Sequence, residues 1–325
     1  MGQADITRRS RPITTAVASE RPGVSTIAWE GLRWVDIQRP TRAEMSFLRR
    51  EFGFHPLALD DCLSRIQLPK IDEYEDHIFL VLHFPLFNPV LRLTQPTQVA
   101  IFAAGGYVVT VHKGELRPIT KLFSDSMQSE TVRREVMGRS SGYLLYRILD
   151  ALVDDSFPIL NKIVDSLDRV EEGFSTRDPG RIIRDLSIMR RDIVAFRRIT
   201  RPQVEVMEVL ERKEYPILRV DPDVYFGDLA DHTRRIWQEL EWLKEASDGL
   251  SDTVFILHGV MSNDALRVLT VLFTLTLPGV TVGTVYGMNI PLPFQQHWWF
   301  ILVLFAISVI PAAGMLFWFR RKGWL

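Results

Sequence analysis

The sequence predicts an α+β domain with a mixed sheet and helices, then long stalk helices and two C-terminal transmembrane helices. The first observation is that residues 268–285 and residues 298–319 each contain no charged side chain. Each run has about 20 residues, which as a helix cross a hydrocarbon core of about 30 Å. The second is that the hydrophobic period changes from that of strands to that of helices near residue 142. A polar protein that ends in a membrane hairpin is therefore expected.

Composition excludes several other classes of protein. The formal net charge is -1, and no basic stretch of the kind that binds nucleic acid precedes the C-terminus. Cys62 is the single cysteine, which excludes an intramolecular disulfide or a multi-cysteine zinc site. Residues 1–25 are polar and lack the apolar segment of a secretory signal, so they are predicted to be a disordered leader.

Strands and helices alternate in the first part of the chain. Residues 78–84, 98–102 and 107–112 have the apolar, β-branched composition of strands. A helix is predicted over residues 41–52, because Thr41 and Glu44 have the spacing of a capping box, and residues 56–64 also have helical spacing. Together these elements predict a cytoplasmic α/β domain over residues 26–138.

Helical periodicity dominates from there to the first apolar run. One helix is predicted over residues 143–174, with a kink at Pro158, and a second over residues 181–211, with a break at Pro202; they form a helical hairpin within residues 139–220. Between Pro222 and Pro278 the chain has no proline. A helix of about 60 residues would be about 90 Å long and would need lateral partners, so a self-associating bundle is expected.

The charges that flank the apolar runs predict the topology. The connection between the runs contains no Lys or Arg, whereas Arg320, Arg321 and Lys322 directly follow the second run. By the positive-inside rule, both termini are cytoplasmic and the short connection is outside the cell membrane. The resulting segments are the stalk 221–265, the first span 266–289, the outer loop 290–297, the second span 298–319 and the tail 320–325.

One face of the first span has a regular pattern. Its positions are three and four residues apart, and the face is mostly apolar with polar groups near its two ends. The face consists of Asn263, Leu266, Thr270, Phe273, Leu277, Val280 and Thr284. Periodicity alone leaves two interpretations open, a seam between copies of the chain or the lining of a pore.

Several short motifs resemble a known family. The segment Tyr286-Gly287-Met288-Asn289 at the outer end of the first span resembles the signature of the CorA magnesium transporters, and the ending Arg320-Arg321-Lys322-Gly323-Trp324-Leu325 resembles their basic tail. Upstream matches occur in the same order, at residues 67–74, 143–155, 226–232 and 262–266. The resemblance covers nearly everything after about residue 30.

The resemblance implies a funnel-shaped homopentamer in the inner membrane whose partners are its own copies, membrane lipid and divalent cations. It implies passive Mg²⁺ influx driven by the membrane potential, with Co²⁺ and Ni²⁺ tolerated, and no organic cofactor. The sequence contains no P-loop and no catalytic constellation, so an ATP-driven pump and an enzyme are not expected.

Carried over position by position, the resemblance also implies a route for the ion. Mg²⁺ gives up its water reluctantly, so a mouth of neutral oxygens at Gly287, Met288 and Asn289 would hydrogen-bond its hydration shell. Thr284 would pass the ion inward, and a ring of Asn263 would meet it at the cytoplasmic end. Apolar constrictions that close by dewetting would lie between them. The proposed lining is Asn263, Leu266, Leu269, Thr270, Phe273, Leu277, Val280 and Thr284.

The resemblance also implies that a ligand closes the pore. Cytoplasmic Mg²⁺ would bind between carboxylates of neighbouring subunits and hold the bundle shut. The matching positions are Asp61 and Asp228, with Asp231 and Asp252 as additions. Arg320, Arg321 and Lys322 would form a basic ring at the inner membrane face.

Two alternatives remain. One is a proton-coupled Zn²⁺ transporter of the related ZntB type, whose members typically have Ile where Met288 stands. The other is a membrane-anchored cytosolic enzyme or sensor, against which the second span argues because one span would suffice as an anchor.

Overall fold

The structure is a computed structural model that describes residues 23–64, 67–173, 179–288, 294 and 297–324. Nearly all of the predicted leader, residues 1–25, lies outside these ranges. The chain divides into two compact units, Met1–Leu250 and Ser251–Leu325, which are treated separately below.

A six-stranded mixed sheet forms the centre of the first unit. Its spatial order is β1-β2-β6-β5-β4-β3, in which β2 and β6 are parallel and every other pair is antiparallel. The mixed sheet of the predicted fold class is therefore confirmed. The strands are β1 (Val24–Trp29), β2 (Leu32–Gln38), β3 (Lys70–Glu73), β4 (Ile78–Asn88), β5 (Leu93–Ala104) and β6 (Tyr107–His112).

The neighbouring strands β4 and β5 are longer than predicted, because each continues through a proline. Pro85 of β4 lies directly opposite Pro96 of β5 in the register. Proline has no N–H to donate, so it usually ends a strand prediction. Since both prolines lie at one pair of positions, the loss of donors is confined to that pair and the ladder continues on either side.

Nine α-helices and a short 3₁₀ turn, Pro216–Leu218, complete the described chain. The capping box of α1 is confirmed, since Thr41 accepts from Ala43 N–H and the Glu44 carboxylate accepts from Thr41 N–H. The helices are α1 (Arg42–Phe52), α2 (Pro56–Leu63), α3 (Arg117–Gln128), α4 (Glu130–Met137), α5 (Ser141–Asp154), α6 (Ser156–Glu172), α7 (Pro179–Arg212), α8 (Pro222–Tyr286) and α9 (Trp299–Arg321).

Two details of the predicted helical hairpin were wrong. The helix predicted from residue 143 is two helices, α5 and α6, that are separated at Asp155. Pro158 therefore lies in the first turn of α6, where a missing N–H costs little, rather than at a kink. Pro202 does not break α7, which is continuous through it. The buried side chains of Phe196 and Met207, on either side of Pro202, hold both halves of α7 in the core.

The long helix and the two apolar C-terminal helices are confirmed. Asp221 starts α8 by accepting hydrogen bonds from the N–H groups of Asp223 and Val224, directly before Pro222 at the first helical position. α8 then runs for 65 residues, and α9 for 23. Both are long and apolar enough to cross a membrane.

Helices cover both faces of the sheet. On one face α1 and α2 bury Leu48, Phe54 and Leu59 against the sheet, and the Phe54 ring stacks on Phe102 of β5 with centroids 3.9 Å apart. On the other face α7 packs on β4 and β5, and α5 packs on β5 and β6. The first unit thus has a core of its own.

A buried polar network ties β2 to β6, the one parallel pair of the sheet. The Thr110 hydroxyl lies 2.6 Å from a carboxylate oxygen of Asp36 and accepts from the Trp34 indole N–H at 3.2 Å. His112 Nδ1 accepts from the Gly114 N–H, so its Nε2 carries the hydrogen that is donated to Asp36 at 3.1 Å. Each of these side chains is at most 2% exposed, so each polar atom depends on its partners.

We expect Thr110→Val, which keeps the shape of the side chain, to lower the free energy of unfolding by about 2–4 kcal/mol. The reason is that the buried Trp34 N–H loses its acceptor and the Asp36 carboxylate loses a donor. Thermal unfolding of the full-length protein in detergent would measure the effect. Thr120→Val is the control, because the Thr120 hydroxyl only donates to Leu116 C=O within its own helix; equal losses in both variants would contradict the role of the network.

Candidate functional site

A cluster of metal-ligating side chains joins α5 to the N-terminal part of α8. One ligand atom from each of Asp150, Asp154 and His232 lies within 4.8 Å of the other two. Asp150 and Asp154 are one turn apart on α5, so they share a face of that helix. Burial and the neighbouring Asp154 carboxylate raise the pKa of Asp150, and together they outweigh the attraction of Arg147.

Asp228 lies at the edge of this cluster. One of its carboxylate oxygens accepts a hydrogen bond from the Tyr146 hydroxyl at 3.3 Å, and the other lies 3.7 Å from His232 Nε2. Burial, with the charges of Asp150 and Asp228, raises the pKa of Tyr146 to about 12, so this hydroxyl stays protonated and remains a donor. The structure thus places the predicted Asp228 beside three residues that had not been predicted as ligands.

The donor set of the cluster fits a divalent cation. Carboxylate oxygens suit Mg²⁺, and an added imidazole suits Co²⁺, Ni²⁺ or Zn²⁺ better than Mg²⁺. His232 Nδ1 is buried and has no hydrogen-bond partner among the described residues. A cation would offset the repulsion between Asp150 and Asp154 and would supply a partner to the imidazole.

Asp61 is in a different environment from Asp228. Its carboxylate forms an ion pair with Lys70 Nζ at 2.7 Å and accepts a hydrogen bond from the Gln67 amide at 2.6 Å. Burial works against the charge of Lys70, but its bonds to Asp61 and Asp72 outweigh it and raise the pKa of the ammonium group. Within one chain, Asp61 is therefore compensated by a fixed cation.

The other two predicted acidic positions are more exposed. Asp231 pairs with Arg234, three residues on in the same helix, and its side chain is 72% exposed. Asp252 is also exposed and lies in the second unit, Ser251–Leu325. The described contacts do not bring either residue into the cluster at Asp150.

In the second unit, the seven-position face of α8 that the sequence singled out is uncovered. All seven of its residues are exposed, for example Phe273 at 66% and Leu277 at 64%. A different face of α8 is partly or fully covered, at positions 267, 271, 274, 278, 282 and 286. Contacts with the segment from Phe300 to Trp324 are made on that second face: Tyr286 packs on Phe300 at 5.8 Å, and the Arg267 guanidinium lies 5.6 Å from the Trp324 ring centroid.

The polar groups of the first span are bonded along the helix. The hydroxyls of Thr270 and Thr284 each donate to the carbonyl four residues back, at 2.7 Å. Their oxygen lone pairs remain able to accept a hydrogen bond from a water molecule. α8 ends where Gly287 N–H bonds to Gly283 C=O at 3.0 Å, and a Cβ at Gly287 would lie only 3.0 Å from that oxygen.

Asn289 and most of the outer loop lie outside the described residues, so the predicted mouth is represented here by Gly287 and Met288, both exposed. At the other end of the hairpin, Arg320 and Arg321 are in the last turn of α9, and the Lys322 ammonium lies 5.4 Å from the Trp318 ring centroid.

Reasoning from the sequence missed Asp150, Asp154 and His232 as ligands. The signal that was present is the spacing of four between Asp150 and Asp154, and again between Asp228 and His232, which puts each pair on one helix face. The sequence does not reveal that these two faces meet, since 78 residues separate Asp150 from Asp228.

Comparisons with known proteins agree on one family. The family model described as CorA-like Mg²⁺ transporter protein matches residues 29–321. YfjQ of Bacillus subtilis is 31% identical over 309 residues, covering 94% of this chain and 92% of that protein. The cobalt/magnesium transport protein CorA of Thermotoga maritima is 29% identical over 295 residues, covering 90% and 83%. The zinc transport protein ZntB of Pectobacterium atrosepticum is more distant, at 21% over 266 residues, which cover 79% and 77%.

The fold is also that of a solved structure. The complete structure of the CorA magnesium transporter from Methanocaldococcus jannaschii superposes with a TM-score of 0.77, covers 92% of this chain and 94% of that one, and is 24% identical in sequence.

We expect Co²⁺ to stabilise the protein against thermal unfolding more than Mg²⁺ does, because His232 adds a nitrogen ligand to the carboxylates. His232→Ala is expected to weaken Co²⁺ binding by about tenfold or more and to change Mg²⁺ binding much less. Titration of each ion, followed by the shift in Tm, would measure both effects. His258→Ala, at an exposed position further along α8, is the control; a Co²⁺ response that survives in His232→Ala would remove the imidazole from the site.

Proposed function

The chain belongs to the family of CorA-like Mg²⁺ transporter proteins, and we propose that it conducts Mg²⁺ through a pore formed by several copies of α8. The proposed assembly is a homopentamer in the cell membrane with both termini in the cytoplasm. Support for the ion comes from the family model and from the Thermotoga maritima relative, which is named as a cobalt/magnesium transport protein. Co²⁺ and Ni²⁺ are proposed as further substrates.

The observation that carries the proposal is the uncovered face of α8. Its seven residues are exposed in the single chain, while the contacts with α9 and the C-terminal segment lie on a different face. In an assembly with α8 at the centre and α9 outside, this face turns toward the axis. The alternative interpretation as a plain seam requires no polar groups at the ends, whereas this face has Asn263 at one end and Thr284 at the other.

The chemistry of the face suits a hydrated ion. Leu266, Leu269, Phe273, Leu277 and Val280 provide apolar positions that exclude water when the pore is narrow and so close it. The proposed mouth, from Gly287 to Asn289, has neutral oxygens that hydrogen-bond the water shell of Mg²⁺ without removing it. A carboxylate ring at this place would hold the ion more tightly and slow its exit.

The direction of transport follows from charge. A divalent ion that crosses an inside-negative membrane gains about 4.6 kcal/mol per 100 mV, since each elementary charge gains about 2.3 kcal/mol. No nucleotide is needed for uptake at such a gain. The orientation rests on Arg320, Arg321 and Lys322, which the positive-inside rule places in the cytoplasm.

Regulation is proposed at the acidic residues of the first unit. Asp228 would bind cytoplasmic Mg²⁺ together with Asp150, Asp154 and His232, and a carboxylate from a neighbouring copy, with Asp61 as the candidate, would complete the site. Asp231 and Asp252 are proposed to add negative charge at a distance. Burial and then repulsion by Asp154 raise the pKa of Asp150, and a bound cation would offset both.

We expect Asn289→Ala to abolish Mg²⁺ entry into liposomes that carry the purified protein under an inside-negative potential, because the amide oxygens at the mouth are lost. A fluorescent Mg²⁺ indicator inside the liposomes measures the flux. Gln295→Ala, an amide in the same loop, is the control and is expected to conduct normally. Mg²⁺ flux that persists in Asn289→Ala contradicts the proposed mouth, and Zn²⁺ flux that follows a proton gradient instead would move the assignment to the ZntB type.

We expect Asp228→Ala to conduct Mg²⁺ and to lose inhibition by millimolar Mg²⁺ on the cytoplasmic side. The substitution removes a proposed ligand while leaving the pore face of α8 unchanged. The same liposome assay, with Mg²⁺ varied on the cytoplasmic side, measures inhibition. Asp223→Asn, at an exposed position near the start of the same helix, is the control; inhibition of equal strength in Asp228→Ala and Asp223→Asn would sink the regulatory proposal.

A further inference from the structure

A second charged cavity lies in the first unit, at the junction of α4 and α5, and the transport proposal does not use it. Its volume is about 350 Å³, and three of its six lining residues are arginines. The lining residues are Arg134, Glu135, Gly138, Arg139, Tyr143 and Arg147. With one carboxylate among them, the lining has a formal charge of +2, opposite in sign to the acidic cluster further along α5.

None of the three guanidinium groups has an acidic partner. No carboxylate oxygen of the described residues lies within 4.0 Å of a nitrogen of Arg134, Arg139 or Arg147, although other arginines of this unit, such as Arg190 and Arg197, do form such pairs. Asp150 attracts Arg147 from further along α5, but it forms no ion pair with it. The three positive charges around the cavity repel each other, so an anion bound there would be stabilised.

Two of the arginines are held in place by neutral contacts. The Arg139 guanidinium lies 4.4 Å from the Tyr143 ring centroid and donates to the Tyr225 hydroxyl at 2.8 Å. The side chain of Tyr143, one turn before Arg147 on the same helix, is also the main cause of the raised pKa of the Arg147 guanidinium. Because aromatic and hydroxyl groups orient the guanidiniums without neutralising them, the charges remain available to a ligand.

One nitrogen of the Arg147 side chain lacks a hydrogen-bond partner. The Nε of Arg147 is buried, and it has no hydrogen-bond partner among the described residues. A buried guanidinium N–H without an acceptor costs free energy, and such groups in native structures call for an explanation. This unsatisfied donor shows that the polar contacts of Arg147 within the described residues are incomplete.

The turn between α4 and α5 requires a glycine at position 138. Gly138 ends α4, and its N–H bonds to Arg134 C=O at 2.9 Å. A Cβ at this position would lie 2.2 Å from the same carbonyl oxygen, so only glycine permits the turn that brings Arg134 and Arg139 to one cavity. Ser140 then caps α5 by accepting from Tyr143 N–H.

We propose that this cavity binds the phosphate group of a phosphorylated small molecule. Guanidinium groups match phosphate oxygens with two parallel N–H donors each, and several guanidiniums together favour a multiply charged oxyanion over a single carboxylate. A divalent cation is excluded from the same place by the sign of the charge. The site shares no residue with the proposed pore or with the acidic cluster.

The test is binding of inorganic pyrophosphate to the full-length protein in detergent, measured by calorimetry at fixed ionic strength in buffer without divalent cations. Omitting Mg²⁺ prevents its chelation by pyrophosphate from being mistaken for binding. We expect saturable binding to one site per chain, weakened about tenfold or more in Arg147→Gln and several-fold in Arg134→Gln. The second variant changes an exposed side chain and so keeps the test valid if Arg147→Gln fails to fold.

Arg50→Gln is the matched control, because Arg50 is an exposed arginine of α1 that bonds only to Ser46 C=O of its own helix. Equal affinity in the cavity variants and in Arg50→Gln, or no saturable binding by the wild type, would overturn the proposal. Inorganic phosphate and ADP tested in parallel identify the source of the phosphate group. Tighter binding of ADP indicates a nucleotide, and equal binding of both indicates that the phosphate alone is recognised.

Discussion

The apolar surface of α8 is the constraint on which the rest of the molecule depends. From Phe255, which is 79% exposed, to Val285, most of the large side chains of this helix lie on the surface of the single chain. Exposing an apolar surface of this size to water is unfavourable, so lipid or other copies of the chain are expected to cover it. The partly buried positions lie on the face that includes Arg267 and Tyr286, so the remaining face needs another partner. Insertion into a membrane and the proposed association with other copies would each cover part of this one helix.

The first unit places opposite charges close together on a single helix, α5. On α5, Arg147 lines the positively charged cavity, and its Nε has no hydrogen-bond partner among the described residues. Asp150 and Asp154 follow one and two turns further on. The Asp150 carboxyl has a raised pKa in spite of the attraction of Arg147, because burial and Asp154 outweigh it. Each charged group is therefore under-compensated by the protein itself. Such sites exchange small ions with the solvent more readily than closed internal salt bridges do.

The sequence predicts local features well, but it predicts contacts between distant segments poorly. The capping box of α1, the long α8 and the two apolar helices each depend on neighbouring residues, and the structure confirms them. The predictions at Pro158 and Pro202 were wrong because the sequence shows only that a proline lacks an N–H. Whether the helix bends or breaks there depends on the position of the proline in the helix and on core packing. The pair of Pro85 and Pro96 shows the same limit within the sheet, since their cross-strand register is not visible in the sequence. The Asp150–His232 contact is also long-range, so its ligands were missed.

Asp61 and Asp228 differ in how readily each could bind a free cation, because only Asp61 is paired with a lysine. Lys70 neutralises Asp61 within the chain, so a divalent ion that binds Asp61 must first displace an ammonium group at 2.7 Å. That exchange returns little free energy, because one cation replaces another. Asp228 faces a neutral hydroxyl and an imidazole, and the nearby Asp150 and Asp154 add negative charge without a fixed cation within 4.0 Å. Under the proposed regulation, a change in ion concentration would act first at Asp228. Asp61 would join only after Lys70 had turned to Asp72, which it already contacts.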